Sequence, residues 1–437
     1  MKSFALRRSL ERQMTSPPTS PAKPAVLLTA TLALLSFVMP LATDMYLPAF
    51  PKLADEFGTD ASGVQLTLTA FLLGQALGQL VFGPFSDRYG RRRPILLGAA
   101  VCTVATALCA MAPNLGVLIA LRFVTGFSGA AGLVVGRAVV SDVATGAAAA
   151  RLFGVLMALG GIAPIVAPLA GGAVVGHLGG WRGVFWVLAG ISLLVFLATM
   201  CGVPETLPKE RRRSGGAAAT LQDARSVLSD RVYVGYMLAF VFGFGALFCY
   251  ISGSAFLLQN VLDFTVGEAS VAFSVGALTA TLSSTVNTRL VSHYPPRLLL
   301  RIGLAAMLAA TTAALLVTVA GQLNRVLALG LIGIAFLGLG QVFGTATALA
   351  IERVPHAAGT GSAVLGALQG VLGAVASPLI GLGGDDTAVP LFIGMASCSL
   401  IAVLSLLLTR RGAETARPAP RSKTPADGTP DPANAAT

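Results

Sequence analysis

Apolar residues run along this chain in long blocks separated by short polar segments. The blocks fall near residues 25–50, 62–83, 94–112, 115–138, 152–176, 183–203, 231–256, 268–290, 298–320, 325–350, 359–383 and 388–408. A helix crosses a bilayer core with about 20 mainly apolar residues, and each block is close to that length. The pattern predicts an all-α membrane protein with twelve transmembrane helices. The longest polar gap runs from Pro204 to Arg231, between the sixth and seventh blocks. The chain therefore divides into a cytoplasmic N-terminal tail (1–24), an N-terminal six-helix bundle (25–203), a cytoplasmic central loop (204–230), a C-terminal six-helix bundle (231–408) and a disordered cytoplasmic tail (409–437), rich in Pro, Ala and Thr. The basic, then Pro/Ser-rich N-terminus has no A-x-A-like cleavage site. It reads as a tail leading into an uncleaved first span, with Met14 an alternative start to Met1.

The two six-span blocks have nearly equal length, and internal repeats of this kind are a transporter habit. A shift of 206 residues carries Ala49-Phe50 onto Ala255-Phe256 and Arg91 onto Arg297, and it lays HYPPR over DRYGR. The halves read as diverged copies, with the chemistry kept mainly in the first.

Composition agrees with the block pattern. The chain of 437 residues is 55% hydrophobic and 11% charged, with a mean hydropathy of +0.79. Soluble domains carry about 25% charged residues. The 50 glycines suit close helix packing in lipid. The net charge of +11 raises the possibility of a nucleic-acid partner, but its placement argues against one. With an even number of spans both termini share a side. That side collects Lys2, Arg7, Arg8, Arg12, Lys23, Arg88, Arg91 to Arg93, Arg137, Arg151, Arg211 to Arg213, Arg289, Arg297, Arg301 and Arg353. The other side keeps only Lys52, Arg182 and Arg325, with Asp55, Glu56, Asp60, Asp263, Glu268, Asp385 and Asp386. This is the positive-inside asymmetry, and it places both termini of a multi-pass membrane protein in the cytoplasm. The five cysteines, Cys102, Cys109, Cys201, Cys249 and Cys398, all lie in apolar blocks. They read as small packing residues, not a disulfide framework or a metal site.

One stretch breaks the apolar pattern of the first span: LATDMYLP, with Asp44 at its centre. A carboxylate at the middle of a membrane helix costs about 2.5–3.5 kcal/mol on insertion scales. The one arginine deep in a span is Arg122, in IALRFVTGFSGAAG. Asp44 and Arg122 each lie seven residues from the same face, so both sit roughly 10 Å deep. Opposite charges at matched depth lower each other's desolvation cost if the first and fourth helices are neighbours. Such a pair either holds structure or carries protons, because a carboxyl caught between desolvation and a movable cation can change its protonation.

A second constellation, GPFSDRYGRRRP from Gly83 to Pro94, lies between the second and third spans. Its basic residues alone fit a solvated loop. Gly83 and Gly90 allow tight turns, and Asp87 and Arg91 can pair near helix ends. This spacing resembles the loop 2–3 motif of the major facilitator superfamily, and RFVTGFSGAAG resembles that family's fourth-span motif. GGIAPIVAPLAGG, with Gly160, Gly161, Pro164, Pro168, Gly171 and Gly172, resembles the fifth-span motif of its proton antiporters, with Ala167 where a glycine is expected. TDMYLPAFP, RAVVSD and YISGSAFLLQ resemble the bicyclomycin/chloramphenicol resistance subfamily of drug exporters, with Ala255 where proline is expected.

The resemblance implies two pseudosymmetric six-helix bundles around a central cavity lined by helices one, four, seven and ten. It implies proton coupling at Asp44 and Arg122. A cytoplasmic gate would be built from Gly83, Asp87, Arg88, Gly90, Arg91, Arg92, Arg137 and Asp142, with Asp142 joined through Arg137 or Arg88. The fifth-span prolines would form a packed hinge or seal. Candidate substrate contacts are Tyr46, Phe50, Tyr250, Phe256 and Gln259. Phe240, Phe244, Phe343, Gln75, Gln79 and Gln341 are further polar or aromatic positions for which ordinary packing is the other reading. His177, His293 and His356 fall at loops and offer no intramembrane relay.

The leading expectation is a proton-coupled multidrug or antibiotic efflux transporter that exports small amphipathic compounds by alternating access. The alternative is the same fold exporting a metabolite such as an amino acid or sugar. An intramembrane enzyme lacks any HExxH motif, membrane histidine–serine pair or His/Cys cluster. An ATP-driven pump lacks a G-x-x-x-x-G-K-[ST] loop and a nucleotide domain. A passive channel would require uncoupled flux. No cofactor and no metal site are expected. The expected partners are a small-molecule substrate, protons and the lipid bilayer, with no nucleic acid, and the protein is expected to be a monomer.

Overall fold

The computed structural model describes residues 26–144, 146–208, 212, 225–384 and 386–410. The expected tails, Met14 and most of the central loop, including Arg211 and Arg213, lie outside the described residues, as does Asp385. Twelve helices among the described residues are long and apolar enough to cross a membrane, and none of these residues forms a strand.

The first half contains α1 (Val26–Asp44), α2 (Ala61–Tyr89), α3 (Arg92–Ala110), α4 (Leu115–Val143), α5 (Gly146–His177) and α6 (Gly180–Gly202). The second contains α7 (Arg231–Phe256), α8 (Val266–Leu290), α9 (Pro296–Val319), α10 (Arg325–Glu352), α11 (Ala358–Gly381) and α12 (Val389–Arg410). A 206-residue shift brings the six helices of the first half onto those of the second within a few residues at most ends. Helices α2 and α4 run several residues past their apolar blocks, so Asp87 and Asp142 stand on last helical turns, not in loops. Charged residues at a span's end reach water while the backbone stays helical.

Below, the face bearing the Arg88–Arg93 turn is called the basic face, and its opposite the acidic face. Several polar residues of the acidic face are helix caps. Asp60 accepts from the Gly63 N–H at the start of α2, Asn114 from Val117 at α4 and Asn324 from Leu327 at α10. Thr265 and Glu268 form a reciprocal capping box at α8.

The first span is interrupted where the sequence demands it. Pro48 has no N–H to give the Asp44 carbonyl, so α1 stops at Asp44. A 3-10 turn, Leu47–Ala49, and a short amphipathic helix, Phe50–Phe57, complete the crossing. Gly58 ends it with φ +59°, a left-handed conformation that suits glycine.

Each half packs as one bundle: α4 lies against α2 and α3, α6 against α3, and α1 against α5, with the matching set in the second half. Two seams join the bundles, α2 against α11 and α5 against α8. The 206-residue shift exchanges these seams, as a pseudo-twofold relation requires. Among the described residues, every hydrogen bond between the bundles lies in the acidic half of the membrane. Ser62 Oγ donates to Pro378 O, Thr69 Oγ1 to Ala374 O, Gln65 Nε2 to Ser252 O, Ser377 Oγ to Gln65 O and Gln259 Nε2 to Pro48 O. The described hydrogen bonds near the basic face stay within one bundle.

Candidate functional site

Arg122 is the largest fully buried side chain among the described residues, 1% exposed on α4. Its guanidinium lies between two rings, 4.3 Å from the Tyr46 centroid and 4.1 Å from that of Phe71, with Phe185 at 5.7 Å. Planar guanidinium groups stack in this way and gain from the ring quadrupoles. Nη2 donates to the Ala42 carbonyl at 3.1 Å. Ala42 belongs to the last turn of α1, where carbonyls lack intrahelical partners and the helix dipole is negative. Arg122 thus caps the end of α1 from a neighbouring helix. Its Nε has no partner. Tyr46 is held in place as a wall of this box. Thr67 Oγ1 donates to Val64 O, so the Tyr46 hydroxyl is the donor in the 3.2 Å bond to Thr67 Oγ1.

Asp44 lies two residues beyond the capped carbonyl and is 5% exposed. Its carboxylate makes no hydrogen bond and no ion pair among the described residues. The close pairing of Asp44 with Arg122 that matched depth suggests is therefore not formed in this conformation. Instead the guanidinium lies between the rings of Tyr46 and Phe71 with Nη2 on the Ala42 carbonyl, and its Nε stays unpaired. Both groups still act on the same end of α1.

At the basic face Arg91 is the centre of a network. Its Nη1 pairs with Asp87 Oδ1 at 2.6 Å and donates to Ser86 Oγ at 2.8 Å, and its Nε pairs with Asp142 Oδ2 at 3.0 Å. Asp142 also accepts from Thr206 Oγ1. Burial alone would lower the Arg91 pKa, but Asp142 and Asp87 outweigh it and raise it. Asp142 is thus joined through Arg91 and not through Arg137 or Arg88. Arg137 forms no ion pair among the described residues, and Arg88 lies over the Tyr89 ring. Glu205, just past α6, accepts from the N–H groups of Arg91 at 2.8 Å, Arg92 at 3.4 Å and Leu207 at 3.1 Å, and pairs with Arg212 at 3.7 Å. It is an anion on the positive start of α3. Burial opposes its charge, but these donors and Arg212 together lower its pKa. Gly90, with φ +93°, makes room for it, since a Cβ there would overlap Glu205 Oε2. Gly83 has no such need, as a Cβ would meet Val134 at an ordinary 3.7 Å. Arg92 also ties to the Met200 carbonyl. All these bonds lie within the first half and the start of the central loop, so this turn does not bridge the bundles here.

The fifth-span glycines divide into two groups. A Cβ on Gly171 would overlap the Met45 carbonyl of α1's extension, and one on Gly172 would overlap Ser270 of α8. Gly160 faces open space, and Gly161 lies near Thr281 at ordinary contact. Pro164 and Pro168 lie inside α5. Pro168 borders a small crevice shared with Pro48, Gln259 and Ser270, where the bundles meet.

The five candidate substrate contacts all lie in packed regions of this conformation. Tyr46 and Phe50 are fully buried, with rings 5.0 Å apart, and Phe256 faces Phe50 across the seam at 6.2 Å. Tyr250 is fully buried between Phe273 and Phe336, its hydroxyl unpartnered. Gln259 is spent on the Pro48 carbonyl. Phe240, Phe244 and Phe343, by contrast, form a partly exposed ring cluster between α7 and α10, with centroids 5.3 to 6.3 Å apart. Sequence reasoning missed Glu205, Phe71 and the polar seam of Gln65, Ser252 and Ser377. Ser252 lies within YISGSAFLLQ but is not singled out there, and the others stand outside the motifs; only three-dimensional pairing marks them out.

A family model of the major facilitator superfamily matches residues 32–378. The chain belongs to this superfamily. Among relatives, it is 37% identical over 361 residues to an uncharacterized transporter of this type, YdgK of Bacillus subtilis, covering 82% of this chain and 89% of that one. It is 32% identical over 381 residues to a bicyclomycin resistance protein homolog of Haemophilus influenzae, covering 86% and 94%. It is 31% identical over 378 residues to a chloramphenicol resistance protein of Pseudomonas aeruginosa, covering 84% and 87%. Solved structures agree in fold. A bacterial homolog of the lysosomal transporter Spinster, inward-facing and unoccupied, matches with a TM-score of 0.67 at 17% identity, covering 91% of this chain and 96% of that one. A D-xylose–proton symporter matches at 0.66 and 14%, covering 88% and 97%. The protein is a multi-pass membrane transporter of the major facilitator fold.

Proposed function

We propose that this transporter exports small amphipathic compounds, phenicol- or bicyclomycin-like, in exchange for protons, and that Asp44 carries the proton. The observation that supports this reading most is the solitary burial of Asp44 at the broken end of α1, beside a cation that grips the same helix end. A carboxylate charge at lipid depth is costly without a partner, and proton binding removes the charge. Loading and releasing a proton at Asp44 is therefore linked to whether the end of α1 is buried or wet. The drug-resistance names of two relatives point to the same class of solute.

In this reading the basic face is cytoplasmic and the membrane is the bacterial inner membrane. The hydrogen-bonded acidic face then corresponds to a state closed to the outside. Bundle rocking would open that face and close the basic one, with the Arg91 network stiffening the moving end of the first bundle. Driving force is ample: one charge crossing 100 mV supplies about 2.3 kcal/mol. The partly exposed Phe240–Phe244–Phe343 cluster supplies ring faces for an aromatic solute.

The test uses inverted membrane vesicles with an acidic interior. On addition of chloramphenicol, solute uptake and proton release should occur together, and a protonophore should abolish the uptake. Uptake indifferent to the protonophore would refute proton exchange. Failure to move any phenicol or bicyclomycin, with uptake of an amino acid or sugar instead, would refute the drug reading.

A further inference from the structure

We propose that Gln65 is a positioning residue that latches the acidic face shut and sets how often the transporter opens to that side. The inference rests on the alternating-access reading above. It comes from a buried polar knot of which only Ser252 falls within a sequence motif, YISGSAFLLQ. Gln65, on α2, is 1% exposed; Ser252 on α7 and Ser377 on α11 are fully buried. The Gln65 amide donates to the Ser252 carbonyl at 3.1 Å. The Gln65 backbone carbonyl accepts from Ser377 Oγ at 3.4 Å. The two serine hydroxyls lie 2.7 Å apart. One residue of the first bundle therefore ties both helices of the second that meet there.

The knot is neutral, and this suits a latch that must open repeatedly. Parting the bundles exchanges these bonds for bonds to water and leaves no bare charge behind. An ion pair in the same place would demand far more on burial and release. One further feature poises the knot. Gln65 Oε1 is buried with no partner, so an unmet acceptor favours opening while the cross-bundle bonds favour closure. Close approach makes the geometry possible: a Cβ on Gly381 would stand 2.5 Å from both Gln65 Oε1 and the Ser62 backbone. Gln259, donating to the Pro48 carbonyl, is a second tie along the same seam.

The test reads the opening itself. Spin labels are placed on the full-length transporter at Asp55→Cys in the first bundle and Asp386→Cys in the second, both exposed on the acidic face, with the exposed native Cys201 replaced by serine. Inter-label distances are measured by pulsed dipolar spectroscopy in lipid nanodiscs. Ser377→Ala, which removes a cross-bundle donor and keeps Gln65, should raise the long-distance share relative to the short one by roughly three- to tenfold, the loss of about one such bond. Gln65→Leu, which removes the amide donor together with the unmet acceptor, should raise it by less. Gln65→Asn, which keeps an amide, should fall between Leu and wild type. Should Gln65→Leu fail to insert, Ser377→Ala decides. Wild-type distances in the variants would overturn the latch, while a second population in wild type would leave alternating access standing. A single population under every pH and solute condition would overturn alternating access, and the latch with it.

Discussion

Arg122 offers a test in which the expected order runs against a count of contacts. Lysine at this position keeps a buried charge but loses the planar group that lies against two rings at 4.3 and 4.1 Å. Each such contact is worth about 0.5–2 kcal/mol, and an ammonium cannot serve both faces while holding the Ala42 carbonyl, so Arg122→Lys should cost about 1–3 kcal/mol. Methionine loses every one of these interactions and leaves the Ala42 carbonyl unpaired, at about 1–3 kcal/mol. It also removes the desolvation penalty of the charge, which runs to several kcal/mol, roughly, per buried ion. Arg122→Met should therefore resist unfolding at least as well as Arg122→Lys, and both should transport poorly. Equilibrium unfolding in mixed micelles can be followed by the fluorescence of Trp181, which is buried against Phe185 beside the guanidinium. A methionine variant clearly less stable than the lysine variant would refute the reasoning. The charge would then stabilise more than it costs, as it would if Arg122 were paired with Asp44.

Three other outcomes follow from the geometry. Gly90→Ala forces a left-handed residue and a Cβ against Glu205, so it should cost about 1–3 kcal/mol and speed hydrogen exchange at the Arg91 and Arg92 amides; wild-type exchange would contradict this. Glu205 has its pKa lowered in the folded protein. Its tie to the start of α3 should therefore be fully present above the ordinary carboxylate range and lost as pH falls through the lowered value. Exchange at the same amides, corrected for intrinsic rate, should show that step, and Glu205→Gln should lack it. Gly172→Val should wedge α5 from α8 at Ser270, raising the reactivity of Ser254→Cys, 1% exposed at the seam, towards a membrane-impermeant thiol reagent; unchanged reactivity would show that this seam does not control closure.

Much of the fold is legible in the sequence because lipid imposes it. Long apolar blocks can only be helices, and Lys/Arg placement separates the faces. The break in the first span is also legible, since Pro48 follows Asp44 by one helical turn. The partners of Arg122 are not. Matched depth points to Asp44, but depth ignores rotation about the helix axis and the aromatic rings of Tyr46 and Phe71 that compete for the guanidinium. Asp142 likewise had three arginines within reach in sequence, and only packing selects Arg91. Glu205 and Gln65 stay hidden because their side chains bond chiefly to backbone groups, which carry no residue identity. The repeat is informative in a further way. The 206-residue shift sets Tyr250 opposite Asp44 and Ala328 opposite Arg122, both fully buried. The second bundle keeps the packing of these positions without their charges, so the proposed proton chemistry belongs to the first.

The most direct test of that claim compares wild type with Asp44→Asn in inverted vesicles, after confirming equal insertion. Asparagine preserves shape and removes the titrating group. The account predicts that gradient-driven uptake and proton release are both lost, while exchange of labelled for unlabelled solute across the membrane, which needs no proton, continues. Undiminished proton-driven uptake in Asp44→Asn would contradict it.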